Sequence, residues 1–205
     1  MPRSVLQGAG GGRIQKPALA ASPTVLLLVD VVNPLDFPGG EALAPAAVAA
    51  AHATARLRRA LNREQVTCIY ANDNYGVWRS DFQSLWHECA RMPGAPGEMA
   101  RALKPRQRDF TVLKPRHSAF FATPLDELLR GLRCRRLVLA GVAADSCVLF
   151  TAMDAYLRGY AVWAPADCVA AESEAAREQA LALMERVLKA DVRPAWERAL
   201  PRRAA

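Results

Sequence analysis

At 205 residues and 22.3 kDa the chain is long enough for one domain with a full hydrophobic core, and 52% apolar against 23% charged residues excludes disorder throughout. Aromatic residues make up only 7% while Ala, Leu and Val abound, a mix suited to helices packed on a sheet rather than to a β-sandwich. The formal charge of +7 invites a nucleic-acid reading, but the excess is Arg scattered along helical stretches and near the end (Arg193, Arg198, Arg202, Arg203), without a nucleic-acid-binding motif, so it reads as a solvated surface with some attraction for anionic substrates.

Residues 1 to 21, Gly-rich from Gln7 to Arg13, lack the apolar stretch of a signal peptide and read as a flexible leader. A single domain is expected over 22–205. Thr24-Val-Leu-Leu-Leu-Val-Asp30 is a continuous aliphatic run, the pattern of a strand buried on both faces. Pro34 and Pro38-Gly39-Gly40 end it, and residues 45–63 have the Ala, Leu and Arg content of a helix. Val66 to Ala71 is a second strand, closed by the polar Asn72-Asp-Asn-Tyr-Gly76 turn. Residues 79–91 read as a helix with Phe82, Leu85 and Trp86 on one face, broken by Pro93, Pro96 and Gly97. Phe110 to Leu113 is a third strand leading into Lys114-Pro115. Pro124 to Leu132 is a helix opened by Thr123 as N-cap. Arg136 to Gly141 is a fourth strand, Ser146 to Arg158 a helix, Tyr160 to Ala164 a fifth strand, and Glu172 to Ala190 a long amphipathic helix. A last short strand is placed at Val192. Strands alternating with helices predict an open parallel sheet covered on both sides.

The five cysteines form no CxxC and no regular spacing. Cys68, Cys134 and Cys168 lie near apolar runs where a thiol packs as a small hydrophobe, so a reducing cytoplasm is expected. No run of about 18 apolar residues suggests a membrane span.

Ligands of such sheets bind at the carboxyl ends of the strands. Asp30 ends the first strand, Lys114 follows the third and Cys147 begins the helix after the fourth. Each has a plainer reading alone: a turn-forming Asp, a solvated Lys, a packed Cys. Their coincidence at one sheet edge gives the catalytic reading. A thiol in the first helical turn, beside an ammonium, is expected to be acidified toward the nucleophilic thiolate. A carboxylate such as Asp30 would take the proton and deliver it to a leaving amine.

Three segments resemble the isochorismatase-like cysteine hydrolases: Leu26-Leu-Leu-Val-Asp30 followed by Asn33 and Phe37; Val112-Leu-Lys-Pro-Arg-His-Ser-Ala-Phe120; and Leu139-Ala-Gly-Val-Ala-Ala-Asp-Ser-Cys-Val148. The similarity runs in order from about residue 23 to 190. It implies a three-layer α/β/α fold with a six-stranded, mostly parallel sheet, and no cofactor. It further implies an acyl intermediate on Cys147, Asp30 as general base and Lys114 as the cation between them. A cis peptide before Ala143 would turn the N–H groups of Ala143 and Cys147 toward the oxyanion. Some relatives, the nicotinamidases, carry an Asp-x-His metal motif after the second strand. Here Tyr70-Ala-Asn-Asp-Asn-Tyr-Gly76 has no histidine, and His52, His87 and His117 are far apart in sequence, so neither a metal nor nicotinamide is expected. Ala144 and Asn33 replace a common Thr and Gln. Family members without the cysteine include vinyl-ether hydrolases. With Cys147 present, cleavage of a C–N bond in a small non-peptide amide, carbamoyl or ureido compound is the reading; a non-catalytic or vinyl-ether-acting binding protein is the alternative.

Asn33, Phe37, Asn72, Tyr75, Trp78 and Phe120 are expected to line the substrate pocket, with Phe121 excluding water or packing in the core. Equally, the Asn72–Trp78 loop could simply be capped by its own Asn and Asp side chains. Arg79 and Arg116 are candidate anchors for a substrate carboxylate. The expected partners are a small-molecule substrate and, because oligomers are common in the resembling family, further copies of the chain paired through the helix from Glu172; neither nucleic acid nor membrane is expected.

Overall fold

A computed structural model describes residues 19–79 and 81–197. The predicted leader therefore falls, except for its last residues, outside the described part, as do Arg198, Arg202 and Arg203. In order the elements are β1 (Thr24–Val29), α1 (Gly40–Arg63), β2 (Thr67–Asp73), α2 (Phe82–Arg91), α3 (Gly94–Ala102), β3 (Phe110–Lys114), α4 (Leu125–Gly131), β4 (Arg136–Val142), a π-helical turn (Ala144–Val148), α5 (Leu149–Leu157), β5 (Ala161–Trp163), β6 (Val169–Ala170) and α6 (Glu174–Leu188).

All strand pairs are parallel, in the order β3-β2-β1-β4-β5, with β6 pairing β4 beyond the end of β5. The aliphatic run of β1 explains the layering, because successive side chains of a strand point to opposite faces. Val25, Leu27 and Val29 pack with α4, α5 and α6 on one side. Leu26 and Leu28 pack with α1, α2 and α3 on the other. The result is the three-layer α/β/α arrangement that the alternating elements predict.

Connections lead outward in both directions from β1 and β4, which makes their carboxyl ends the switch point where open α/β sheets bind ligands. Gly141 closes this point. Its φ is +129°, and a Cβ there would lie 1.9 Å from the Val29 carbonyl oxygen, so only glycine lets the two strand ends meet beside Asp30. Asp30 itself adopts a left-handed φ of 50°, a conformation that Asp accepts more readily than most residues.

Two expectations are corrected. The sixth strand is Val169–Ala170; near residue 192 there is only a single bridge, between Trp163 and Asp191. Pro93, Pro96 and Gly97 do not leave a loop but frame α3, with Pro96 in its first turn, where a missing N–H breaks no helical bond. Ala180, Leu181, Met184 and Leu188 of α6 lie in the core. The more exposed apolar side chains sit on α5, at Phe150, Met153 and Leu157. Among the described residues no helix is long and apolar enough to cross a membrane.

Asn72, expected to contact substrate, instead holds the fold together. It is fully buried, its amide donates to the Val32 carbonyl at 2.7 Å, and its carbonyl accepts from the Val32 N–H at 3.1 Å. These bonds pin the chain just beyond Asp30 to the end of β2. Replacing Asn72 with Leu strands the Val32 N–H and leaves the Val32 carbonyl only the Tyr75 hydroxyl, and is expected to lower unfolding free energy by about 1–3 kcal/mol, measurable by chemical denaturation. A loss well below that range would show the clamp to be dispensable.

Candidate active site

Asp30, Lys114 and Cys147 come from three different strand ends and meet. Lys114 Nζ lies 2.8 Å from Asp30 Oδ2 and 3.5 Å from Cys147 Sγ, between the acid and the thiol. The ammonium is fully buried and also donates to the Arg116 carbonyl at 3.2 Å. Asp30 accepts the Asp73 N–H at Oδ1, 2.7 Å away. The peptide between Val142 and Ala143 is cis. The Ala143 carbonyl accepts from the N–H groups of Ser146 and Val148, each at 3.1 Å.

The electrostatics differ from expectation in one respect. Burial is the largest influence on the Cys147 thiol, and together with the neighbouring Asp30 charge it pushes the pKa up, to about 12, against the pull of Lys114. The acidified thiolate is therefore not the resting state. The cation that would stabilise it is already paired with a closer carboxylate, and the nucleophile lies in a π-helical turn rather than at the start of a regular helix. Asp30 is also raised above its ordinary 3.8, by burial first, with Lys114 opposing. For Lys114 burial works against the charge, but Asp30, Cys147 and Asp73 outweigh it, and its pKa rises. The Lys114 ammonium thus sits between an acid and a thiol whose own pKa values are both raised, and Asp30 is the group assigned to accept the thiol proton.

A cleft of about 620 Å³ opens nearby, bounded by Asp73, Tyr75, Trp78, Pro115, Arg116 and Phe121. Of the expected pocket residues, Tyr75 and Trp78 line it, and the Tyr75 hydroxyl donates to the Val32 carbonyl at 3.2 Å. Phe120 does not: it is core, packed by Tyr160 and Arg158. Its neighbour Phe121 is 56% exposed and takes the wall position. Two adjacent Phe residues on a loop face opposite ways, and the sequence holds no signal for which faces in. Asn33 is buried with its side-chain oxygen accepting from the Leu35 N–H at 2.8 Å, while Phe37 and Arg79 are exposed and lie outside the cleft lining. Arg116 lines the cleft.

Sequence reasoning passed over three residues. Asp73 was absorbed into a turn, yet its Oδ2 lies 3.6 Å from Lys114 Nζ. Thr151, fully buried, donates to the Cys147 carbonyl at 2.7 Å and accepts the Ala119 N–H at 3.0 Å, tying the lysine loop to the nucleophile turn. His117 Nδ1 lies 3.6 Å from Cys147 Sγ; its place two residues after Lys114-Pro115 was the available clue. Among the described residues no group of three or more His, Cys, Asp or Glu converges to hold a metal ion.

The parallel sheet order and the buried acid–ammonium–thiol cluster at its switch point are those of an isochorismatase-type hydrolase. The isochorismatase domain profile matches residues 24–192. The isochorismatase family protein YaaI of Bacillus subtilis is 35% identical over 174 residues, covering 85% of this chain and 95% of that protein. The chain belongs to the isochorismatase family. Among solved structures, N-carbamoylsarcosine amidase from Thermoplasma acidophilum is 26% identical with a TM-score of 0.65, covering 84% of this chain and 96% of that one. The nicotinamidase SaPncA of Staphylococcus aureus is 27% identical with the same TM-score of 0.65, over 84% and 98% of the two chains.

Proposed function

We propose that the chain hydrolyses a C–N bond of a small amide, carbamoyl or ureido compound through an acyl intermediate on Cys147. The observation that carries this reading is the placement of Lys114 Nζ within 2.8 Å of Asp30 and 3.5 Å of Cys147, with Asp73, 3.6 Å from the same nitrogen, in the wall of the neighbouring cleft. The names of the similar solved structures, an N-carbamoylsarcosine amidase and a nicotinamidase, support the bond type.

In the first half-reaction the thiol proton passes to Asp30 as the sulfur attacks the carbonyl carbon. The carbonyl oxygen becomes an anion, for which the N–H groups of Ala143 and Cys147 are assigned as donors. The C–N bond then breaks, and Asp30 returns the proton to the departing nitrogen. Lys114 keeps its charge throughout and holds the carboxylate and sulfur in register. Tyr75, Trp78 and Phe121 offer apolar faces for a planar acyl group.

The test is a screen of small amides and ureido acids read by ammonia release. Turnover of at least one such compound is expected; release from none of them, with binding retained, would favour the non-catalytic alternative suggested by Ala144 and Asn33. Because acylation requires ionised Asp30, kcat/KM is expected to rise with pH through a midpoint above 3.8. With the thiol and Lys114 both raised, no falling limb is expected until the lysine range above 10.5. A descent at neutral pH would contradict this assignment.

A further inference from the structure

Asp30 is buried within the protein. Its oxygens are engaged by the Asp73 N–H and the Lys114 ammonium. His117, by contrast, is exposed. Besides its 3.6 Å contact with Cys147 Sγ, Nδ1 lies 3.3 Å from the Ser146 hydroxyl, and the ring packs on Phe150 with centroids 5.4 Å apart. With its hydrogen on Nε2, the ring turns an Nδ1 lone pair toward the Ser146 hydroxyl and the sulfur. Its loop is fixed: Ser118 donates to Asp154 of α5, and the Ala119 N–H donates to Thr151. An imidazole anchored on the solvent side of a nucleophilic sulfur is placed for the half-reaction in which water must enter.

We propose that His117 is a second catalytic base, serving hydrolysis of the acyl-enzyme while Asp30 serves its formation; this rests on Cys147 being the nucleophile. Once the amine has left, a water enters between the thioester and His117. The imidazole takes a proton from the water as its oxygen attacks the acyl carbon. The C–S bond breaks, the sulfur leaves with the bonding pair, and the imidazolium returns its proton to the sulfur, giving a carboxylic acid and the neutral thiol. One water is consumed, and Asp30 need not be reached from solvent.

p-Nitrophenyl acetate tests this on the full chain without knowledge of the natural substrate, since the nitrophenolate burst reports acylation and the steady rate reports deacylation. In His117→Gln the burst amplitude is expected to persist while the steady rate falls by about 10²-fold. In His117→Gly, added imidazole is expected to restore the steady rate without changing the burst, an effect that a merely structural histidine would not show. An unchanged steady rate in His117→Gln would overturn the proposal and leave Asp30 serving both halves. Loss of the burst in that variant would overturn it too, by moving the histidine into acylation. A burst that survives in Cys147→Ala strikes instead at the nucleophile assignment beneath both readings.

Discussion

Replacing Cys147 with Ala is expected to lower ammonia release from a responsive substrate by on the order of 10⁴–10⁶ while leaving the protein folded. The size follows from what is removed: no other group stands at the same point, between Asp30 and His117 and beside Lys114. Folding is expected to survive because the side chain is only half-buried and the turn around it is held by backbone bonds to the Ala143 carbonyl and by Thr151. Turnover and thermal unfolding of the two proteins check both statements. Retained activity on every responsive compound would remove the covalent mechanism.

The second large effect separates chemistry from electrostatics. Asp30→Asn removes the proton acceptor, so hydrolysis is expected to fall by about 10²–10⁴-fold. The same change removes the negative charge that helps to push the Cys147 thiol up and leaves Lys114, which pulls it down. The thiol should therefore become more acidic, and iodoacetamide should label Cys147 faster at neutral pH than in the parent protein. Lys114→Met shifts the sulfur the other way, since the opposing cation is gone, and labelling should slow. It also leaves the Asp30 carboxylate buried without its partner, which typically costs about 3–5 kcal/mol unless the acid takes up a proton. A pair of variants that both lose turnover yet move labelling in opposite directions is hard to produce by general unfolding. Slower labelling in Asp30→Asn would mean that its charge does not hold the thiol neutral.

The fold was legible where one residue type carries one message. The aliphatic runs of β1, β2 and β4 can be buried only on both faces, and the intervening helices follow from that. β6 escaped notice because two residues, Val169 and Ala170, carry no periodicity. Its existence depends on Gly141 and Val142 offering an open edge beyond the end of β5. α3 was hidden because Pro and Gly usually end helices, whereas here they start one. In the site, the meeting of residues 30, 114 and 147 could be foreseen because parallel strands carry all their carboxyl ends to one edge. The direction of the thiol shift could not. It depends on which of two charges lies closer and on how much water the pocket admits, both properties of side-chain depth. The same limit explains Asn72, polar in a loop-like sequence yet committed to Val32, and the Phe120–Phe121 pair, whose order is set by packing against Tyr160. His117 was discounted as a metal ligand for want of nearby histidines, a criterion that does not bear on a base acting alone beside a sulfur.

The central claim is an acyl group carried by one sulfur, and acid-quenched mass spectrometry of the enzyme during turnover of a responsive amide addresses it directly. The predicted spectrum shows the peptide bearing Cys147 heavier by the acyl fragment, with hydroxylamine diverting that fragment to a hydroxamate. Nitrogen released at full rate while that peptide keeps its unmodified mass, and with no hydroxamate formed, would contradict the account.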